Sequence, residues 1–125
     1  MLLAVYGTLR KGMPNHHMLR GSELVWEGYI EIPYKLVVCS YIPFLVRCEE
    51  KRRIYVEVYR VDEELLGILD EFEDVPELYE RIEIETPVGR AWIYVASKEM
   101  ECEEVVDGDY ATFLRKLRSY VSYEA

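Results

Sequence analysis

Two stretches of this chain combine residue types and spacings that suit binding or catalysis. The first is Val5-Tyr6-Gly7-Thr8-Leu9-Arg10-Lys11-Gly12. A strand that ends at a glycine lets backbone N–H groups turn outward with no side chain in the way, which makes a small anion-binding concavity. Thr8 adds a hydroxyl donor. An ordinary strand-to-loop turn has the same composition, and taken alone the residues favour that plainer reading. The stretch is not a phosphate loop of the G-x-x-x-x-G-K-[ST] type, whose spacing is absent.

The second stretch runs from Leu69 to Arg81, with Asp70, Glu71, Glu73 and Asp74 crowding the expected C-terminal end of a helix. The helix dipole already places partial negative charge at that end. A carboxylate held there against like charges should have a raised pKa, which suits a general acid/base working near neutrality. The alternative is that all four acids point into water, the usual meaning of a charge run, and on these residues alone it stays ahead.

Other kinds of chemistry are poorly supplied. Cys39, Cys48 and Cys102 are odd in number and lack Cys-x-x-Cys spacing, which predicts reduced thiols packed as small hydrophobes in a reducing, cytoplasmic setting. His16 and His17 are adjacent and so point in different directions on any regular element. A structural zinc site needs four converging ligands, so no metal is expected.

The elements that must position these residues can be read from hydrophobic periodicity. Leu2 to Tyr6 is a short apolar run ended by Gly7, a buried strand leading into a loop. Pro14 to Leu19 suits a short helical turn. Leu24 to Ile32 and Tyr34 to Cys39 read as strands on either side of Pro33. Pro43 makes Tyr41 to Val46 an edge or a loop, and Glu49-Glu50-Lys51-Arg52 a turn. Ile54 to Val61 is a strand. Asp62 is a good N-cap for a helix with Leu65, Leu66, Leu69 and Phe72 as its apolar face, closed by Pro76. Tyr79 to Thr86 alternates, Pro87-Val88-Gly89 turns, and Ala91 to Val95 returns. Asp109 caps a second helix with Tyr110, Phe113, Leu114, Leu117 and Val121 at helical spacing. With no repeat or linker, residues 1–125 read as a single α+β domain, a small curled mixed sheet or β-barrel flanked by helices.

Composition bounds the partners. The 125 residues carry 24 acidic and 15 basic side chains, a formal charge of -9, and 50% are hydrophobic, which argues for a packed core. Residues 1–60 hold 9 basic and 6 acidic side chains, a net of +3, which leaves 6 basic and 18 acidic, a net of -12, for the remainder. Nucleic-acid affinity rests on lysine and arginine neutralising phosphates, so no nucleic-acid partner is expected, and acids adjoin the Lys51-Arg52-Arg53 cluster. No apolar run approaches the ~20 residues that span a bilayer, so no membrane partner is expected either. Met1 to Tyr6 is too short and lacks the basic leader of an export signal.

Taken in order, the motifs form a pattern. Tyr6-Gly7-Thr8-Leu9 followed by Pro14-Asn15-His16, then Leu69-Asp70-x-Phe72-Glu73 and Leu78-Tyr79-x-Arg81, resembles the gamma-glutamylcyclotransferase-like family. Within it the gamma-glutamylamine cyclotransferase branch is the nearer likeness. Pro33-Tyr34, Ile42-Pro43-Phe44 and Val58-Tyr59 leading into Val61-Asp62-Glu63 extend the pattern, which covers most of residues 2–96. The resemblance implies a small mixed β-barrel flanked by helices and a cavity in which the loop Tyr6, Gly7, Thr8, Leu9 grips the free end of a small-molecule γ-glutamyl substrate. It puts Glu73 on the family's catalytic glutamate. Two departures stand out: Asp74 and Val56 occupy positions where members commonly have glycine. The first adds a negative charge beside the base, and the second is expected to narrow the cavity wall.

The implied chemistry is self-consistent. In a γ-glutamyl amide the α-amine can attack its own γ-carbonyl and close a five-membered lactam, 5-oxoproline, expelling the amine. The nucleophile comes with the substrate, so no activated serine or cysteine, metal or cofactor is required. The protein holds the chain in a near-attack conformer and moves protons, for which one carboxylate suffices. Tyr79 is expected to orient Glu73 or to line the cavity, unless it is simply a core tyrosine. Two other readings fit the same scaffold: a deacylase of γ-glutamyl groups on a larger metabolite, and a binding or interaction module without turnover.

Overall fold

The computed structural model describes residues 1–124, with side chains through residue 119. One six-stranded mixed sheet runs through it in the order β4-β5-β1-β3-β2-β6. Its strands are β1 (Leu2–Val5), β2 (Glu23–Cys39), β3 (Ile42–Arg60), β4 (Tyr79–Thr86), β5 (Gly89–Ala96) and β6 (Glu103–Glu104). Among the described residues only β1 and β5 pair in parallel; the other pairings are antiparallel. A short 3-10 helix, His16–Leu19, follows the first loop, α1 (Glu63–Phe72) links β3 to β4, and α2 (Tyr110–Glu124) ends the chain. The sheet curls into a half-barrel with the two helices, as the α+β reading anticipated.

The apolar run of β1 is continuous because both faces of that strand are covered. Ala4 joins one core cluster with Ile54, Val56, Ile93 and Tyr110 at the start of α2. Leu3 and Val5 join the other with Tyr59, Tyr94 and the α1 residues Leu66 and Leu69. The strand's period of two thus divides neighbouring residues between two separate cores. Val56, expected to narrow the cavity wall, is fully buried in the first cluster, opposite Gly28, and does not reach the cavity. Val121, expected on the apolar face of α2, lies outside the described side chains.

Two local expectations are corrected, and a third, the choice between edge and loop at Pro43, is decided for the edge. The Glu49–Arg52 cluster is not a turn: it lies inside β3. The register passes from Ile32 opposite Arg52 to Tyr34 opposite Arg47, so residues 48–51 bulge out where Pro33 has no N–H to give the ladder. The Pro43 segment is regular strand rather than loop, with Pro43 opposite Val38. Because β1 pairs β3 only at Glu57–Arg60, the 42–47 stretch has a free side, the edge position a proline tolerates. Finally, Cys39 and Cys102 form a disulfide, leaving Cys48 as the free thiol. The short β6 returns to pair with Val37 and Val38, which brings Cys102 beside Cys39 although 63 residues separate them. No spacing rule shows such a pair in advance. Among the described residues no helix is long and apolar enough to cross a membrane.

Candidate active site

Where β1 ends, the chain leaves the sheet at Tyr6 and opens a cavity of about 230 Å³. Its walls include Tyr6, Gly7, Thr8, Leu9, Glu73 and Tyr79, so all six residues singled out from the sequence meet in one place. Asn15, Pro43, Phe72 and Tyr94 complete much of the lining. Asn15, Pro43 and Phe72 stand in the ordered motifs read from the sequence, Tyr94 in none of them, and Pro43 and Tyr94 come from strands distant from the loop and the helix end in sequence.

Gly7 is required by close approach. A Cβ built there would stand 2.5 Å from Pro43 Cγ, so any side chain would push the loop away from β3. The turn itself is held by Arg10 N–H donating to Gly7 O at 3.0 Å and Asn15 N–H donating to Thr8 O at 2.9 Å. Among the described residues, the N–H groups of Gly7, Thr8 and Leu9 donate to no protein acceptor, which leaves three adjacent donors at the cavity wall. Asn15 Nδ2 donates to Thr8 Oγ1 at 2.9 Å, so the Thr8 hydroxyl keeps its own proton for a ligand.

A buried ionic cluster anchors this loop from behind. Arg10 donates to Glu57 at 3.2 Å and to Asp109 at 2.7 Å, and its guanidinium lies 4.6 Å from the Tyr55 ring. Glu57 also accepts from Lys11 N–H at 2.9 Å and from the Tyr59 hydroxyl at 2.8 Å. Asp109 in turn accepts from Ala111 N–H at the start of α2, the capping role its position suggested. Loop, barrel strand and second helix are therefore tied through one arginine.

Glu73 is delivered by the way α1 stops. Asp62 caps the helix start, accepting from Leu65 N–H at 2.8 Å. At the other end Asp74 N–H donates to Glu71 O and Val75 N–H to Asp70 O, the paired bonds of a Schellman motif. That motif requires a left-handed residue just past the cap, and Asp74 supplies it with φ 55°. Aspartate tolerates this conformation better than most residues, and glycine better still, so a glycine at this position would serve the same backbone role. Asp70, meanwhile, accepts two bonds from Arg81 at 2.9 Å each and one from the Tyr94 hydroxyl at 2.7 Å. This bidentate pair clamps the helix end to β4 and spends the Asp70 carboxylate on architecture.

Glu73 remains as the charged group of the cavity. It is half-buried, and desolvation pushes its carboxyl up to about 7. The cause differs from the one expected. Glu71, Asp74 and Glu77 are exposed, Asp70 is paired, and desolvation alone accounts for the shift. Tyr6, Tyr79 and Tyr94 lie close enough for the Glu73 charge to raise their phenols, on top of their own burial. All three hydroxyls are engaged elsewhere: Tyr6 with Tyr94 O at 2.8 Å, Tyr79 with Pro43 O at 2.7 Å, and Tyr94 with Asp70. Tyr79 thus lines the cavity with its ring, stacked on Phe44, and does not orient Glu73 through its hydroxyl.

His16 Nδ1–H donates to Leu9 O, 2.9 Å away, and the ring faces Tyr59, a structural position behind the loop. The cavity therefore offers backbone donors and one hydroxyl on one wall, a proton-holding carboxylate on another, and aromatic rings between. That arrangement can seat a small anionic head group and exchange protons with an amine or amide nitrogen.

Comparison with known proteins agrees with this geometry. Residues 3–112 match the family model described as gamma-glutamyl cyclotransferase, AIG2-like. A Vibrio cholerae protein named provisionally as a gamma-glutamylcyclotransferase is 42% identical over 110 residues, 87% of this chain and 94% of its own. Gamma-glutamylaminecyclotransferase of Homo sapiens is 41% identical over 88 residues, 64% of this chain and 58% of its own. The crystal structure of an uncharacterized Pyrococcus horikoshii protein superposes with a TM-score of 0.82 at 32% identity, covering 95% of this chain and 97% of that one.

Proposed function

The chain belongs to the gamma-glutamyl cyclotransferase, AIG2-like family, and on that premise we propose that it converts a γ-glutamylamine or related γ-glutamyl amide into 5-oxoproline and a free amine, with Glu73 as proton shuttle. The observation that carries the assignment is the position of Glu73, half-buried in a cavity also lined by Gly7, Thr8 and Leu9, whose N–H groups have no protein acceptor among the described residues.

The steps balance without any other reagent. The α-carboxylate of the glutamyl head accepts from the loop donors, which folds the α-amine back toward its own γ-carbonyl. Glu73 takes a proton from the α-ammonium, and the freed amine attacks the γ-carbon. A carbon–nitrogen bond forms to close the five-membered ring. The tetrahedral adduct then collapses, breaking the original amide bond. Two protons pass in all from the α-nitrogen to the departing nitrogen, which leaves as an ammonium, and Glu73 relays them one at a time. No water is consumed. A carboxyl with pKa about 7 is suited to both directions of transfer at neutral pH.

Incubation with γ-glutamyl amides and chromatographic detection of 5-oxoproline tests the reaction. Glu73→Gln is expected to lower turnover by about 10²–10⁴-fold, the usual worth of a general acid/base. Turnover unaffected by that change would remove Glu73 from the mechanism, and tight binding with no product from any amide would favour a binding module.

A further inference from the structure

One wall of the cavity belongs to the turn between β2 and β3. Cys39 pairs with Ile42, so the turn consists of Ser40 and Tyr41, and the next two residues, Ile42 and Pro43, line the cavity. Ser40 and Tyr41 have φ of 50° and 70°. Two successive left-handed residues make the tight hairpin turn that asparagine and glycine usually fill, and neither is present here. A serine and a tyrosine keep this conformation only where their surroundings hold them in it.

Among the described residues three ties hold the tip, each from a different element. The Tyr110 hydroxyl, at the start of α2, donates to Tyr41 O at 2.6 Å. The Tyr79 hydroxyl, at the start of β4, donates to Pro43 O at 2.7 Å. The third tie is covalent: Cys39, immediately before the turn, is joined to Cys102. Cys102 ends a connection, residues 97–102, that has no regular secondary structure and is followed by the two-residue β6. Both cysteines are partly exposed, which opens the bond to a small thiol.

The tip presses on the substrate loop. Pro43 stands so close to Gly7 that no side chain fits between them, so the hairpin backs the loop carrying the N–H groups of Gly7, Thr8 and Leu9. Glu73 depends on other ties, the turn at Asp74 and the Asp70–Arg81 pair, neither of which involves the hairpin. A displaced tip therefore loosens the donors for the α-carboxylate and leaves the proton shuttle in place.

Resting on the cyclotransferase reading, we infer that the Cys39–Cys102 pair is a redox site that sets how tightly the cavity binds its substrate. In the oxidised chain the disulfide pins the turn against the loop, and substrate meets donors already in position. Reduction breaks the S–S bond: two thiols of a small-molecule reductant supply two electrons and two protons, and leave joined as a disulfide. Cys39 and Cys102 then carry S–H groups, the connection 97–102 is released from the hairpin, and the turn keeps only its tyrosine hydrogen bonds. The remaining thiol, Cys48, lies in the β3 bulge away from the turn and takes no part.

The test uses the full chain oxidised, reduced with dithiothreitol and reoxidised, with release of 5-oxoproline from a γ-glutamyl amide as the readout. Reduction should raise KM about tenfold, leave kcat within about threefold, and be reversed by reoxidation. Cys48→Ser should respond as the wild type does. Cys39→Ser combined with Cys102→Ser should show the high KM with or without dithiothreitol. An unchanged KM in the reduced chain, with only a lower urea midpoint, would make the disulfide purely structural and overturn the redox site. So would a loss confined to kcat, a response that disappears with Cys48, or loss of the fold on reduction by circular dichroism. Absence of 5-oxoproline in every redox state would instead overturn both this inference and the cyclotransferase reading.

Discussion

Glu73 holds the properties of the site in one group, and its protonation links stability to activity. Its carboxyl titrates at about 7 in the folded chain, above the ordinary carboxyl value it recovers on unfolding. The folded state therefore binds its proton more tightly, so the associated stability is present at pH below the ordinary carboxyl range and is lost as pH rises to about 7. Glu73→Gln removes this dependence. Thermal melts should show the variant matching the wild type near pH 4.5 and exceeding it by on the order of 2–3 kcal/mol at pH 8. Wild-type kcat/KM should rise with pH through about 7 as the free enzyme's base ionises. Gly7 is the second decisive residue, because its absent side chain is what allows Pro43 to stand so close. Gly7→Ala is expected to cost about 1–3 kcal/mol in denaturant titrations and to raise KM, since the loop donors must retreat from the cavity.

At the scale of elements, the site depends on two ends and one anchor. The end of β1 presents the loop, and the end of α1 presents Glu73, through the Schellman turn at Asp74 and the Asp70–Arg81 clamp. The anchor is Arg10, 6% exposed, held between Glu57 and Asp109. Glu57, 4% exposed, is the common acceptor for Arg10, Lys11 N–H and Tyr59. Removing it leaves three donors unsatisfied, one of them a buried cation. Glu57→Ala should therefore destabilise the fold by about 2–4 kcal/mol by urea titration. Because the loop docks through the same acceptor, kcat/KM should fall although Glu57 does not line the cavity.

Over the whole molecule, the charge asymmetry means less for catalysis than its density suggests. Among the acids between Asp62 and Glu85, Glu71, Asp74 and Glu77 are solvent-exposed and Asp70 is paired, so the crowding does not tune Glu73. Burial does, and burial is a property of the folded cavity. The Cys39–Cys102 disulfide joins the end of β2 to the segment leading into β6, closing a loop across 63 residues of chain. It sits three residues before Ile42 at the cavity mouth. Cys102→Ser, or reduction of the native protein, should lower stability by about 2–4 kcal/mol, measured as a lower urea midpoint.

What could be read from the chain alone was whatever repeats over a few residues or sits inside a short motif. The strand at Leu2–Val5, the Asp62-capped helix, the Asp109 cap and the loop Tyr6-Gly7-Thr8-Leu9 all follow from local rules of periodicity, capping and turn chemistry. The ordered motifs also pointed to the family, and with it to Glu73. Tertiary structure alone decided the rest, since it depends on contacts between residues distant in sequence. The β-bulge opposite Pro33, the burial of Val56 away from the cavity, the disulfide, and the engagement of the Tyr79 hydroxyl by Pro43 are all of this kind. So is the cause of the Glu73 shift: sequence counts neighbouring charges, whereas desolvation is set by which side chains fold over the carboxylate.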